Sequence, residues 1–159
     1  MKITYRKANR KDTALILTFI RELAEYEKLG HELIASEEDL EKTLFGDHPY
    51  AEVVFAEADG QEAGFVLFFH NYSTFLARPG IYIEDLYVRP GYRGKGLGKG
   101  LLSYIASLAI ERSCGRVEWW VLKWNPARKF YESLGAEAMD EWMVYRLSGD
   151  SLPDLAVSG

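Results

Sequence analysis

The stretch Arg93-Gly94-Lys95-Gly96-Leu97-Gly98-Lys99-Gly100 decides how the rest of this chain is read. Glycines at alternate positions lose much backbone entropy on ordering and make a poor start for a helix. Yet a helical stripe begins inside the run, with Leu97, Leu101, Ile105, Leu108 and Ala109 at helical spacing up to about Ser113. A β-rich segment, Ile81 to Val88, precedes it and closes at Arg89-Pro90-Gly91. Strand, glycine loop and helix in that order make an anion site. Glycines let backbone N–H groups converge on an oxyanion, and the helix start adds unpaired donors and the positive end of its dipole. Arg93, Lys95 and Lys99 add charge.

The spacing excludes the two commoner nucleotide loops. A Walker A loop requires Gly, four residues, then Gly-Lys-Ser/Thr. Counting from Gly94, Lys99 stands where Gly is required; counting from Gly91, Gly96 fits but Leu97 replaces the lysine. The dinucleotide pattern Gly-x-Gly-x-x-Gly also fails, because Lys99 follows Gly94 and Gly96 at its third glycine position.

Working outward, the 159 residues suit one domain with one core. A net charge of -5 argues against non-specific nucleic-acid binding and fits a cationic substrate. The single cysteine, Cys114, allows no internal disulfide and reads as a small buried group in a reducing, cytoplasmic compartment. The N-terminal residues do not resemble a signal peptide, and no apolar run reaches membrane-spanning length. His31, His48 and His70 show no ligand spacing, so no metal is expected.

The remaining elements follow from pattern and punctuation. A strand is expected over Lys2 to Lys7. A helix capped at Asn9, with Asp12 three residues on, should run to a stop near Leu29-Gly30. A short helix opens at Ser36-Glu37-Glu38-Asp39 and reaches about Phe45. Strands over Ala51 to Ala58 and Glu62 to His70 flank Asp59-Gly60, a two-residue hairpin signal. A loop is expected from Asn71 to Gly80. After the glycine loop and its helix come a strand over Arg116 to Leu122, a helix over Pro126 to Leu134, and a last strand over Glu141 to Leu147. The tail after Ser148 reads as polar and frayed. The expected class is α/β: a mixed sheet flanked by helices.

At this point the residues resemble the GCN5-related N-acetyltransferase (GNAT) family. Its signature Arg/Gln-x-x-Gly-x-Gly/Ala is matched by Arg93, Gly96 and Gly98. Trp124-Asn125-Pro126 and Phe130-Tyr131-Glu132-Ser133-Leu134-Gly135-Ala136 are similar to the family's second cofactor motif. Ile20 to Glu27, Phe45 to Pro49, Tyr82 to Val88 and Leu122 to Asn125 resemble the diamine (spermidine/spermine) acetyltransferase branch. Ser73-Thr74 departs from its polyamine-specific members, which carry an acid at the first of these positions, and is similar to the thialysine acetyltransferase type.

The resemblance implies an acyl-CoA N-acyltransferase fold with a mostly antiparallel sheet. It also implies acetyl-CoA as cosubstrate, a small primary amine as acceptor, direct attack without a covalent intermediate, and a homodimer. For the cofactor it implies the backbone of Leu86, Tyr87 and Val88, the loop Arg93, Gly94, Lys95, Gly96, Leu97, Gly98 and Lys99, and Asn125 and Tyr131. Asn125 could equally cap the helix that follows it, where Pro126 suits the first position. Tyr131 is the candidate acid for the departing thiolate, since a tyrosine of pKa ~10 can return a proton to a thiol of ~8.5.

Glu84 either receives the amine's proton through water or only orients the substrate. An ordinary carboxylate (~4.3) is a weak base for an ammonium of ~10, so burial or a relay would have to help. Strand alternation places Glu84 and Asp85 on opposite faces, so only one faces the cleft, and the resemblance favours Glu84. Glu27, Ser73, Thr74, Glu84 and Trp142 are the candidates for the amine. Two rivals stand beside this reading: acetylation of a protein N-terminus or lysine, and a non-catalytic acyl-CoA-binding module.

Overall fold

The structure is a computed structural model describing residues 1–159. The chain divides into two compact units, residues 1–120 and residues 121–159.

The first unit is a five-stranded sheet in the order β1-β2-β3-β4-β5. β1 (Ile3–Lys7), β2 (Glu52–Ala58), β3 (Gln61–Ser73) and β4 (Arg78–Val88) pair antiparallel, and β5 (Val117–Trp119) joins β4 in parallel. Asp59 and Gly60 both take positive φ (51° and 84°), the turn whose twist matches flanking strands, and the β2–β3 hairpin closes there. Helix α1 (Thr13–Tyr26) and α2 (Glu37–Phe45) cover one face of the sheet; α3 (Leu97–Glu111) covers the other. Phe19 of α1 packs on Phe55 and Phe65 at ring separations of 5.6 and 5.2 Å. Leu97, Leu101, Ile105 and Ala109 of α3 bury against Val66, Phe68, Ile81 and Ile83. The stripe read in the sequence is therefore the core face of α3.

Both capping boxes form. Asn9 and Asp12 bond reciprocally at a 3-10 turn, Arg10–Asp12, that leads into α1, and Ser36 and Asp39 do so at α2. Two boundaries move. Helix α1 ends before the expected glycine, because Lys28 adopts the left-handed conformation (φ 62°) and Leu29 N–H reaches back to the Ala24 carbonyl. The loop expected over Asn71 to Gly80 is mostly strand. Asn71, Tyr72 and Ser73 pair with Gly80, Pro79 and Arg78, leaving only a short turn at the tip.

The second unit holds α4 (Ala127–Ser133) and α5 (Ser151–Ser158). The last strand expected over Glu141 to Leu147 does not form. Its residues favour extended backbone, but propensity alone does not make a strand, and the segment has no regular secondary structure. The tail read as frayed contains α5 instead. Pro153 falls in its first turn, where a missing N–H breaks no helical bond.

Candidate active site

The site on the first unit starts from strand β4. Its pairing with β5 covers only Ile81, Ile83 and the residue between them, opposite Val117 to Trp119. β4 runs on to Val88, so from Glu84 onward its edge away from β3 has no β5 partner. That edge holds the backbone of Leu86 and Tyr87 that the sequence reading assigns to the cofactor arm. The Val88 carbonyl is already occupied, accepting from Arg93 Nε at 2.8 Å.

The glycine loop leaves β4 through a 3-10 turn, Pro90–Tyr92, and enters α3. Its glycines have separate jobs. Gly94 and Gly96 take φ of 74° and 91°, a backbone that side chains with Cβ rarely adopt, and both face open space. Gly96 caps α3 with no side-chain hydrogen bond, so the first N–H groups of the helix point outward uncapped. Gly100 serves packing, because a Cβ there would collide with the Tyr5 hydroxyl. Lys95 and Lys99 are exposed. Arg93 folds back: its guanidinium lies 4.7 Å from the Tyr26 ring centre and 5.5 Å from that of Tyr87. It therefore ties the loop to the end of α1. These donors, uncapped and flanked by lysines, fit a pyrophosphate.

A second tie was not legible in the sequence. Arg89 pairs with Glu22 of α1 (Nη2 to Oε2 2.8 Å), stacks over Phe19 at 4.3 Å and donates to the Glu62 carbonyl. Glu22 and Arg89 are 67 positions apart, and no local pattern announces such a pair.

The carboxylates depart from the expected alternation. On β3, Leu67 faces Asp85 and Phe68 faces Ile83, so Glu84 is an extra residue without a partner. This is a β-bulge, which breaks the two-residue period and re-aims side chains. Glu84 and Asp85 are therefore not on opposite faces. Both lie within electrostatic reach of each other, and Glu27, the residue that ends α1, joins them. Burial, followed by the charges of Glu84 and Glu27, pushes the Asp85 carboxyl up to about 7. Burial and Glu84 also raise Glu27. Nearby, burial and then Glu84 raise the Tyr82 hydroxyl. None of the ion pairs in the molecule involves Glu27, Glu84 or Asp85.

Ser73 and Thr74 lie elsewhere, at the tip of the β3–β4 hairpin. Ser73 pairs with Arg78, six residues before Glu84, or roughly 20 Å along the strand. Within one chain they do not share a small amine with Glu84.

The other candidates belong to the second unit. Asn125 Oδ1 accepts from Ala127 N–H at 3.0 Å, holding the first amide of α4, while its own amide N–H groups are the donors it offers. Tyr131 is half-buried on α4, its ring 5.6 Å from that of Phe130. Trp142 is 76% exposed in an irregular segment.

Comparison with known proteins agrees with this geometry. Residues 17–136 match the Acetyltransferase (GNAT) family. Thialysine N-epsilon-acetyltransferase of Bos taurus is 37% identical, over 97% of both chains. L-ornithine N5-acetyltransferase NATA1 of Arabidopsis thaliana is 36% identical, over 92% of this chain and 85% of its own. Among solved structures, an integron cassette protein from the mobile metagenome of V. cholerae superposes with a TM-score of 0.81 at 31% identity, covering 98% of each chain. A glycine loop with uncapped helix N–H groups, at the end of a strand that outruns β5, is thus accompanied by near-full-length likeness to acetyltransferases, and the chain belongs to the GNAT family of N-acetyltransferases.

Proposed function

We propose that this enzyme moves the acetyl group of acetyl-CoA to a primary amine of a small diamine, polyamine or lysine-like molecule of the thialysine type. The observation that carries the substrate class is the trio Glu27, Glu84 and Asp85, gathered without an internal cation. Like charges brought together raise the free energy of the empty site, and a bound ammonium relieves it. The names of the Bos taurus and Arabidopsis thaliana relatives, both acting on amino acids with a side-chain amine, support the same class.

In this reading the loop from Arg93 to Lys99 and the N–H groups opening α3 hold the pyrophosphate. The β4 backbone at Leu86, Tyr87 and Val88, with the Val88 carbonyl already taken by Arg93, and the amide of Asn125 hold the pantetheine arm. Glu27 and Glu84 draw in and orient the ammonium, and Trp142 adds an apolar wall. Tyr131 supplies the proton that the departing thiolate takes. The chain acts as one acetyltransferase domain; the family match crosses position 120, where the two compact units meet in sequence.

The chain works as a homodimer in the cytoplasm. Exposed Tyr72, Phe75 and Leu76 at the hairpin tip support self-association, and free Cys114 supports a reducing compartment. Ser73 and Thr74 contact the amine from the second copy. No helix is long and apolar enough to cross a membrane.

The test is thiol release from acetyl-CoA with a panel of spermidine, putrescine, ornithine, lysine, thialysine and an N-terminal peptide. Release with one or more of the small amines is expected. Release with the peptide alone would transfer the enzyme to protein acetylation, and none with any amine would make it an acyl-CoA-binding module. Light scattering in solution tests the dimer.

A further inference from the structure

We propose that Arg89 and Glu22 are positioning residues for acetyl transfer, their ion pair fixing where the glycine loop begins relative to the end of α1. This rests on the acetyltransferase reading above, in which that loop holds the cofactor and Glu27, at the end of α1, meets the amine.

Arg89 stands where the sheet ends and the loop starts. Its backbone N–H donates to the Ala63 carbonyl at 2.9 Å, continuing the β3–β4 ladder past Val88. Its own carbonyl accepts from Tyr92 N–H at 2.9 Å and closes the 3-10 turn. The side chain leaves in a third direction, to α1. Nε and Nη2 both donate to the Glu22 carboxylate, at 3.1 and 2.8 Å, and Nη1 donates to the Glu62 carbonyl at 3.2 Å. The guanidinium also lies over the Phe19 ring at 4.3 Å. A planar fork on a carboxylate fixes orientation as well as distance, which a lysine ammonium does not.

Phe19, Glu22 and Tyr26 share one face of α1 by their helical spacing. Arg89 takes the first two, and Arg93, at the other end of the turn, takes the third. Tyr87 closes the ring: its hydroxyl donates to Glu22 at 3.5 Å, and its ring lies 6.5 Å from that of Tyr26. The turn is therefore held against α1 at both ends. Gly94 and Gly96, further on, would meet nothing with a side chain, so the place of the loop is set from its start. Glu27 directly follows Tyr26, and one helix end thereby registers both the loop and the acid.

The value of the pair is geometric. Its side chains are 31% and 29% exposed, and ion pairs so accessible add little to stability. Reactants held slightly out of place, by contrast, lose rate steeply. A matched pair lies away from the loop. Arg112 makes the same two-pronged contact with Glu52, at 2.7 and 3.0 Å, with side chains 27% and 31% exposed. It is the C-cap of α3, at the opposite end of that helix from the glycines.

The experiment compares R89M, E22Q, the double variant and R112M by steady-state kinetics with the best amine of the panel, by calorimetric binding of coenzyme A and by thermal melts. R89M keeps an apolar stem over Phe19 and removes the fork. It should raise KM for acetyl-CoA and Kd for coenzyme A about 5- to 10-fold and lower kcat about 3- to 10-fold. E22Q should act in the same direction, and R89K should recover part of the loss. The double variant should stay within about twofold of R89M, because both changes remove one contact. R112M should lower Tm about as much as R89M does and leave both constants within about twofold. Wild-type KM and kcat in R89M overturn the assignment. So do losses in R112M equal to those in R89M, or losses in R89M and E22Q that simply multiply in the double variant. If R89M does not fold, E22Q decides, and wild-type constants in E22Q overturn the role. A wild type that binds no coenzyme A would instead refute the reading of the loop beneath it.

Discussion

The glycine loop and the carboxylate trio are neighbours along β4 built by opposite means. The loop is a local object made largely of backbone. Gly94 and Gly96 supply left-handed dihedrals, and the uncapped N–H groups of α3 supply the donors. The trio is assembled from side chains 57 positions apart along the chain, joined by one extra residue in a strand. A backbone site is pre-formed and tolerant of its side chains. A side-chain site depends on register and burial, and it stores unfavourable charge until a ligand arrives. Each substitution below bears on that contrast.

The largest effect separates binding from chemistry in both regions. Tyr131→Phe removes the proposed acid and should lower kcat by about 100-fold or more, leaving KM for both substrates within about twofold; steady-state kinetics with the best amine of the panel checks this. Unchanged turnover would remove Tyr131 from the mechanism.

Next comes the loop. Gly96→Val forces a β-branched residue to φ near 91° and should raise KM for acetyl-CoA at least about 10-fold. Lys95→Ala, which deletes an exposed charge, should raise it only about 2- to 4-fold, and less at high salt. Calorimetric binding of coenzyme A measures both. If the lysine change exceeded the glycine change, the loop would be a side-chain site after all.

For the trio, Glu27→Gln should raise KM for the amine about 3- to 10-fold and leave KM for acetyl-CoA unaffected. An equal change in both constants would mean that Glu27 supports the fold rather than the substrate.

The smallest effect is on stability, and its sign is distinctive. Asp85 holds its proton more tightly folded (about 7) than an ordinary aspartate does (3.8). The native state therefore binds more protons across that window, and stability falls as pH rises from about 4 to about 7. Asp85→Asn removes the penalty. It should stabilise the protein at pH 7.5 by about 1–2 kcal/mol, a few degrees in Tm, and have no benefit near pH 4. Thermal melts at the two pH values test this; a lower Tm at pH 7.5 would show that the carboxylate is satisfied.

Much of the framework was legible in order and punctuation. The Asp59-Gly60 turn, the two capping boxes and the α3 stripe are local instructions, each carried by residues within a few positions of one another. The elements that moved obey distant partners. The β3–β4 hairpin is longer than its composition announced, because Asn71, Tyr72 and Ser73 find Gly80, Pro79 and Arg78 across the turn. Glu141 to Leu147 reads as a strand and is irregular, because strand propensity by itself does not fix extended pairing. In the candidate site the glycine loop was plain. The bulge at Glu84 was not, since alternation was the only rule available and a bulge is the exception to it.

By itself, then, the sequence determined a loop that could not be a Walker or dinucleotide site, and a sheet with helices. Short-range sterics and backbone hydrogen bonding settle such features, and they are written within a turn or two of chain. Only the tertiary structure decided where β4 loses β5, that Arg89 and Arg93 clasp the end of α1, and that Asp85 stands with Glu84 and Glu27 rather than behind them. Those outcomes depend on desolvation and on charges brought together across tens of residues, and neither exists until the sheet is folded.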